Sequence, residues 1–490
     1  MVATDPDCGI CRTITGADGT QWVIRHQFPK ALVHHYPLPP LGADVVPVYR
    51  GKFDLEGNTY RGLIKVDLNP RPRLHAEGVK DASFEELHKE LSAGGVKRPA
   101  EWVDAKTVKI PAKSVPSPAK TARQPKPNSA EGGSFHVSEA HLQEIVVGEP
   151  RELDYLTFFL MNGWYGHDGL NTCYDGLDRQ GRIEVKLGEW QLRLEPRGDR
   201  TPKEVRNHQR STGASNITHV GRIRRDDGTT FDGLDAIQVL TVVTDLVGFA
   251  LGRVTDFLLP VGYRDSKAVW SQWACNRVVD RPLGATPFLD LEHTAEQMAE
   301  LLQTGYQTSQ NKARWEVFKN MLGYHYSAEH DATVNMKVLL PVSALQLISY
   351  AYLVEELPLP DPNHLSNKDW RNLDTSEQLR RILDLIGINL AVPSHMKHLV
   401  NVKTALEKEE PTKTFDQLGC VVRLRNGVAH PKQKDALRWS VTEWAETGFA
   451  ATGMLHLAIL WWLGFDGRYV PKTAQYRGAG DAVLVPWHVP

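Results

Sequence analysis

The sequence has few cysteines for its length and no large excess of charge of either sign. Its 490 residues include five cysteines, an odd number, and no secretory signal. Such a chain lacks a disulfide framework, so we expect it to fold in a reducing cytoplasm. The formal net charge of −2 excludes a general attraction to phosphate. Any surface that binds nucleic acid must therefore be local.

Long hydrophobic runs are also scarce. The strongest run near the C-terminus, residues 454–464, contains His456 and is too short to cross a bilayer, so it predicts a buried helix and no membrane association. Hydrophobic residues at 41% and charged residues at 24% are typical of a soluble globular protein with sizeable cores. The length is sufficient for about two to four domains.

One cysteine pair has the spacing of half a zinc knuckle. Cys8 and Cys11 are separated by two residues, and His26, His34 and His35 could complete a ligand set. The sequence has no second pair of this spacing. Two flexible N-terminal thiols are therefore the favoured interpretation, and we assign no metal site and expect no cofactor.

The N-terminal part predicts a small β-rich domain over residues 1–105. Strand-like runs lie at 20–26 and 58–66, and residues 82–93 predict an amphipathic helix. Residues 106–135 are rich in proline, lysine and serine, so they cannot bury enough apolar surface to fold and are predicted to be a linker.

Residues 136–285 predict a second domain of mixed α/β structure. The alternating run 182–194 has a glycine in its middle, which is typical of a hairpin or a bulged strand. Residues 232–254 predict a helix that packs on these strands. Its apolar face would consist of Leu234, Ile237, Leu240, Val243 and Leu246.

The most basic segment of the chain lies between these strands and this helix. We interpret it as a flexible loop that could contact RNA phosphates, although such charge runs are more often solvated surfaces. The candidate RNA-binding residues are Arg206, Arg210, Arg222, Arg224 and Arg225.

Residues 288–475 predict a helical bundle, followed by a tail at 476–490. Apolar periodicity predicts helices at 289–304, 334–352, 376–386, 394–408 and 440–463. The helix at 334–352 is apolar nearly all round, so we predict that it is the central core helix of the bundle. The fold class is therefore α+β, with β-containing N-terminal domains followed by an all-helical C-terminal bundle.

One further helix, within residues 415–430, carries an unusual arginine. Its apolar stripe consists of Phe415, Leu418, Val421, Val422, Leu424 and Val428. Arg425 falls inside this stripe, where a guanidinium is costly unless an anion or a hydrogen-bond network satisfies it. Asn426 begins an Asn-Gly turn signal and Pro431 disfavours a helical His430, so we expect the helix to end between Asn426 and His430.

Arg425, Asn426 and His430 together resemble the R-x4-6-H signature of the HEPN superfamily of helical-bundle ribonucleases. Arg423 also fits this spacing, but Arg425 is preferred because a polar residue follows it, as is common in that superfamily. A β-containing N-terminal part followed by a helical part that ends with this motif helix and one more helix resembles the large HEPN proteins of antiphage defence, of the ApeA type.

This resemblance implies a metal-independent endoribonuclease. Histidine titrates near neutral pH and can act as the base, whereas arginine matches the phosphate oxygens, and Asn426 would orient either group. Because each chain has one motif, the resemblance implies a homodimer through the helical domain that pools two motifs at one RNA. It also implies a bacterial antiphage or toxin effector, with a phage-derived activator bound by the N-terminal domains.

A second hypothesis belongs to another class of protein. The same bundle could be a non-catalytic module in which Arg425 and His430 hold a nucleotide or an RNA phosphate and regulate a partner. A third hypothesis, a purely structural interaction protein, requires the position of Arg425 in the apolar stripe to be accidental. Incubation with total RNA in EDTA, with the wild type compared with His430→Ala, separates the three hypotheses.

Overall fold

The structure is a computed structural model, which describes most of the central and C-terminal parts and fewer residues of the N-terminal part. The described residues are 11–15, 21–25, 32, 34–36, 38, 43, 45–55, 58–68, 72–80, 103–105, 108–109, 138–142, 144–164, 168–174, 177–213, 215–274, 288–290, 292–330, 332–429, 438–475 and 480–488. The predicted helix at 82–93 lies outside them, as does nearly all of the predicted linker.

The chain divides into two compact units. The first comprises residues 1–164, 170–244 and 255–283, and the second comprises residues 165–169, 245–254 and 284–490. Strands dominate the first unit and helices the second, so the predicted α+β class is confirmed.

The first unit contains all the longer strands. In chain order the described strands are β1 Cys11–Thr15, β2 Gln21–Arg25, β3 Val45–Leu55, β4 Asn58–Asp67, β5 Arg73–Lys80, β6 Val103–Ala105, β7 Val108–Lys109, β8 Ser138–Leu142, β9 Glu144–Gly148, β10 Tyr155–Met161, β11 Leu170–Tyr174, β12 Leu177–Leu187, β13 Trp190–Pro196, β14 Ile217–Arg225, β15 Phe257–Arg264 and β16 Lys267–Ala274. The predicted strands at 20–26 and 58–66 correspond to β2 and β4.

A six-stranded sheet joins residues on both sides of the predicted linker. Its strand order is β6-β8-β5-β4-β3-β7, and β8 pairs antiparallel with β5. The structure here differs from the predicted division into domains at 105 and 136, because β7 lies within the predicted linker and β8 belongs to the N-terminal sheet. Side chains of β3, β4 and β5 share one buried apolar cluster with side chains of β10, β14 and β15.

An eight-stranded sheet forms the rest of the first unit. Its order is β11-β12-β13-β14-β10-β15-β16-β9. The predicted hairpin at 182–194 is confirmed, since β12 and β13 pair antiparallel and Leu187 lies opposite Trp190.

Two helices lie between strands of this sheet in the chain. Helix α1 Pro202–Thr212 connects β13 to β14, and helix α2 Gly233–Leu251 lies between β14 and β15. On α2, Leu240, Val243 and Leu246 are buried as predicted, but Leu234 is 50% exposed. The predicted apolar face was therefore wrong at its first position, which lies in the first turn of the helix.

Eight helices build the described part of the second unit. They are α3 Thr294–Ser309, α4 Lys312–Glu329, α5 Met336–Tyr350, α6 Asn367–Asn372, α7 Thr375–Ile386, α8 Lys397–Glu409, α9 Gln417–Ala429 and α10 Val441–Trp462, with a π-helical segment Ala351–Glu356 after α5. Helix α5 packs against α4, α9 and α10, so the predicted central core helix is confirmed.

The predicted C-terminal tail packs on the second unit. Strand β18 Val483–Leu484 pairs with β17 Arg468–Tyr469, and Val485 is buried. The indole Nε1 of Trp487 donates a hydrogen bond of 2.7 Å to the carbonyl of Phe465. Residues 480–488 are thus part of the fold, in contrast to the prediction of a tail.

Two described helical segments are long and apolar enough to cross a membrane, Gly233–Leu251 and Met336–Glu356. In the most apolar 18 residues of each segment, 67% are buried in the first segment and 50% in the second. Core helices of soluble proteins have the same length and composition, so these segments are compatible with a soluble protein. The cytoplasmic location stays a prediction.

Candidate functional site

The motif helix α9 is positioned by a buried apolar face. Leu418, Val421, Val422 and Leu424 are each at most 7% exposed, as the sequence pattern predicted. Helix α9 packs against α10 and α5 with this face. It ends at Ala429, within the predicted interval.

The start of α9 is fixed by Asp416. Its Oδ1 accepts a hydrogen bond of 2.8 Å from the backbone N–H of Gly419, and its carbonyl accepts one of 3.0 Å from Cys420. This is the geometry of a helix N-cap, which satisfies a backbone donor that the helix itself cannot pair. The other carboxylate oxygen, Oδ2, lies 2.7 Å from Nη1 of Arg380 on α7. Asp416 thus ties the motif helix to its neighbour.

Arg425 lies near the other end of α9 and is half-buried. Its Nη1 donates a hydrogen bond of 3.2 Å to Oδ1 of Asn426, while its Nε is buried without a hydrogen-bond partner. No carboxylate of the described residues forms an ion pair with it. A guanidinium in this state is incompletely satisfied, which favours binding of an anion.

Arg425 and Asn426 line a cavity of about 440 Å³. The remaining lining comes from the start of α7, the end of α9 and the residues that lead into α10. The lining residues are Leu373, Asp374, Thr375, Arg423, Leu424, Gly427, Arg438, Trp439 and Trp444. Pockets of roughly 300–1,000 Å³ hold small ligands, so the cavity has room for one nucleotide.

The other cations at this cavity are paired. Arg438 bonds to Glu409 on α8 and lies over the ring of Trp439, 4.2 Å from its centroid. Arg423 is half exposed and its Nη2 lies 3.8 Å from Oε1 of Glu410. These contacts distinguish Arg425 from its neighbours, and the preference for Arg425 over Arg423 stays a prediction. Both arginines nevertheless line the same cavity.

His430 lies outside the described residues, as does Pro431. The structure therefore brings Arg425 and Asn426 together at the cavity, and it does not test the position of the predicted base. The sequence places His430 directly after Ala429, the last residue of α9.

The thiol of Cys420 lies in the buried face of the motif helix and is not a candidate nucleophile. Burial raises its pKa to about 12. The thiol is therefore neutral at pH 7 and acts as a small apolar side chain.

The prediction of a flexible arginine-rich loop is wrong, because the arginines at 206–225 lie on a helix and a strand. Arg206 and Arg210 lie on α1, which starts with a capping box formed by Thr201 and Glu204 and ends at Gly213 in the left-handed region. The sequence Thr-Pro-Lys-Glu at 201–204 is a signal for the start of a helix, whereas the prediction of a loop was based only on the density of arginines.

The remaining basic candidates lie on β14 and contact neighbouring side chains of the first unit. The guanidinium of Arg222 lies 5.8 Å from the centroid of the Tyr155 ring. The Nε of Arg224 donates a hydrogen bond of 2.7 Å to Oε1 of Gln191. The guanidinium of Arg225 lies 4.2 Å from the centroid of the Trp190 ring and forms an ion pair with Glu189. These contacts explain the arginines of β14 structurally. Their proposed contact with RNA stays a prediction.

His34 does not have a ring nitrogen available for the zinc site that was considered with Cys8 and Cys11. Its Nε2 lies 2.9 Å from the carbonyl of Leu259, and its Nδ1 accepts from the backbone N–H of Tyr36 at 3.1 Å. Burial lowers the pKa of His34 to about 3, so the ring is neutral. Cys8 lies outside the described residues.

A buried polar cluster in the second unit was missed by sequence reasoning. His325 and Glu329 lie on α4, His456 lies on α10, and Lys472 follows β17; we call these four residues the α4–α10 cluster. The Nζ of Lys472 lies 2.7 and 2.8 Å from the two carboxylate oxygens of Glu329, and Nε2 of His456 lies 3.3 Å from one of them.

Charges within the α4–α10 cluster set the ionisation of Glu329. Burial alone would raise the pKa of this carboxyl, but His456 and Lys472 beside it outweigh burial and hold the pKa well below its usual range. Burial lowers the pKa of His325 to about 3. The sequence signal was a histidine and a glutamate one helical turn apart, but the helix that carries them had not been predicted.

The central and C-terminal parts are similar to a family of known sequences. Residues 148–284 match the model described as the YopA central domain, and residues 311–482 match the YopA C-terminal domain. The chain is 24% identical over 314 residues to the SPbeta prophage-derived uncharacterized protein YopA of Bacillus subtilis (strain 168), a match that covers 63% of this chain. It spans 66% of that relative, slightly less than two thirds of its length.

No solved structure matches the chain. Neither family description mentions HEPN, so the resemblance of the motif helix to that superfamily stays a prediction.

Proposed function

We propose that the helical unit is a metal-independent endoribonuclease of HEPN type, in which Arg425, Asn426 and His430 act on RNA. The observation that supports this proposal is the half-buried guanidinium of Arg425, which lines a cavity beside Asn426 and has no carboxylate partner among the described residues. Such a cation gains most from an anionic ligand, and an RNA phosphate diester has the oxygens to match its planar donors.

The proposed reaction needs no group besides the RNA and these side chains. His430 removes the proton of the 2′-hydroxyl, the 2′-oxygen attacks the adjacent phosphorus, and the bond from phosphorus to the 5′-oxygen breaks. A second His430 returns a proton to the 5′-oxygen. Arg425 stabilises the charge that develops on the phosphate oxygens. The products are a 2′,3′-cyclic phosphate and a free 5′-hydroxyl.

The need for both a base and an acid supports a homodimer that pools two motifs. Each chain supplies one Arg425 and one His430, so a two-fold axis through the helical unit would place two of each at one phosphate. A protein that is monomeric while it cuts RNA would contradict this part of the proposal.

A role in conflict between phages and bacteria is proposed with this activity. The name of the Bacillus relative describes it as prophage-derived, which is compatible with an effector that acts during phage infection. The first unit would then bind a phage-derived activator.

The volume of the cavity favours one alternative, a non-catalytic module that binds a nucleotide. Its 440 Å³ fall within the range of small-molecule sites, and two aromatic side chains, Trp439 and Trp444, belong to its lining. In this alternative, replacing Arg425 abolishes binding, and no cleavage occurs with the wild type.

The test is cleavage of an RNA oligonucleotide in the presence of a chelator. Arg425→Ala and His430→Ala should each abolish cleavage, while Arg423→Ala should have the smaller effect because Arg423 is half exposed and lies near Glu410. Mass spectrometry should identify cyclic phosphate ends, and a DNA oligonucleotide of the same sequence should stay intact. Circular dichroism checks that each variant is folded.

Three results would contradict the proposed chemistry. The first is wild-type activity in Arg425→Ala or His430→Ala. The second is cleavage that requires Mg²⁺, which is typical of metal-activated water. The third is a 5′-phosphate on the downstream fragment. If Arg423→Ala lost more cleavage activity than Arg425→Ala, the catalytic arginine would be Arg423 and not Arg425.

A further inference from the structure

The α4–α10 cluster combines three side chains that ligate metals. His325 and Glu329 face the same side of α4 because they are one helical turn apart. With His456 they offer one ligand atom each, and these atoms all lie within 4.8 Å of one another. All three residues are less than 9% exposed. Two imidazoles and one carboxylate are a ligand set for Zn²⁺ and related ions.

The His325 ring has an unused nitrogen lone pair. Its Nε2 lies 3.3 Å from the carbonyl of Phe249 and can only donate there, which fixes the proton on Nε2. Its Nδ1 is then an acceptor, and it is buried without a hydrogen-bond partner in the part of the chain that the structure describes. A buried polar atom that makes no hydrogen bond costs free energy, so its retention needs an explanation.

Lys472 occupies the position of a cation at Glu329. Its ammonium contacts both carboxylate oxygens, as a metal ion would. The same lysine lines a second cavity of about 250 Å³, together with Gly453, Tyr469 and Thr473. This cavity gives the flexible lysine side chain a place to move into.

We propose that His325, Glu329 and His456 bind one divalent transition-metal ion of the Zn²⁺ class, and that Lys472 moves into the adjacent cavity when the ion binds. The ion neutralises Glu329 in place of the ammonium and uses the spare lone pair of His325. It connects α4 to α10 and is therefore structural. The site is separate from the cavity at Arg425, and the proposal does not depend on RNA cleavage.

Co²⁺ is the probe, because its visible absorption reports tetrahedral or similar coordination by nitrogen and oxygen. The full chain is stripped with a chelator under mild denaturation, refolded and titrated with Co²⁺. One ion per chain should bind with a change in the absorption spectrum. His456→Ala should lose this change, whereas His364→Ala, a histidine of the same unit that is bonded to the carbonyl of Leu357, should keep it.

Lys472→Met gives the opposite and more specific prediction. It removes the competing ammonium, so Co²⁺ should bind at least about tenfold tighter than to the wild type, because the buried Glu329 then lacks the cation that contacts both of its carboxylate oxygens. Removing the metal should lower the melting temperature of this variant more than that of the wild type. A folded Lys472→Met that binds no Co²⁺ would overturn the proposal.

Metal content of the wild type gives a result even when the variants do not fold. Protein purified without added metal should contain Zn²⁺ or a related ion at about one per chain. If neither this protein nor its Co²⁺-treated form holds an equimolar ion, the α4–α10 cluster is an ion-paired core and nothing more. Co²⁺ binding that persists in folded His456→Ala would place the ion elsewhere and would also overturn the proposal.

Discussion

Replacement of Asp416 should destabilise the motif helix by an amount that can be divided between two contacts. An N-cap side chain contributes about 0.5–2 kcal/mol to helix stability. The ion pair with Arg380 joins side chains that are 37% and 27% exposed, and such pairs contribute at most about 1 kcal/mol. Asp416→Ala loses both contacts, so we expect a cost of about 0.5–3 kcal/mol in the free energy of unfolding of this region.

Asp416→Asn separates the two contributions. Asparagine accepts the hydrogen bond from Gly419 as well as aspartate does, so this variant loses only the charge. Its cost should be below about 1 kcal/mol, should match that of Arg380→Ala, and should shrink in high salt because the pair is partly exposed. Asp416→Ala should keep most of its cost at every salt concentration.

The assay is hydrogen exchange measured by mass spectrometry on the intact chain. Peptides that cover α9 report the opening of this helix, whereas a denaturant curve would mix the two units. Peptides of α3 provide an internal control that should not change. If Asp416→Asn accelerated exchange as much as Asp416→Ala, the ion pair and not the cap would fix the start of α9, and the reasoning would be wrong.

The remaining predictions concern the first unit. Glu195→Gln should cost about 3–5 kcal/mol in urea unfolding, because it removes the nearer of the two carboxylates beside the fully buried Arg182, at 2.8 Å against 3.7 Å for Glu184. Stability should fall as the pH drops below 6.5, because burial lowers the pKa of His219 to about 3, so the unfolded chain takes up a proton that the native chain does not. The slope should reach about 1.4 kcal/mol per pH unit for this histidine and should decrease in His219→Gln. If α1 contacts RNA, replacing Arg206 and Arg210 with glutamine should reduce the slope of log RNA affinity against log salt concentration. If this slope did not change, the two arginines would be a solvated surface.

The sequence was sufficient to predict the elements with strong apolar periodicity. Helix α9 and helix α10 were placed within three residues because each has a continuous buried stripe and a polar start. Helix α4 was missed because its buried residues include His325 and Glu329, and polar residues weaken the apolar pattern. The local pattern therefore failed where the core itself is polar.

The two sites differ in how far the sequence could define them. Arg425 and Asn426 are adjacent, so their pairing at the cavity follows from local spacing. Lys472 and Glu329 are 143 residues apart, and only the packing of a loop against α4 brings them together. The arginines of β14 show the opposite error. Their charge suggested a ligand-binding surface, whereas in the sheet Arg224 lies opposite Gln191, Arg225 lies opposite Trp190, and Arg222 lies near the ring of Tyr155.

The pairing of β8 with β5 determines where the chain can be shortened. A fragment that begins at residue 136 would keep β8 but lose the strand beside it, and its backbone N–H and C=O groups along that edge would be exposed. The same truncation would uncover Ile145, Val147 and Trp273, which are at most 3% exposed in the whole chain. An open edge next to bare apolar surface is a template for aggregation. Deletion studies of the first unit should therefore keep residues 45–80 together with the eight-stranded sheet. A fragment that begins at residue 284 would lose residues 245–254, which belong to the second unit and include Phe249, whose carbonyl lies 3.3 Å from Nε2 of His325.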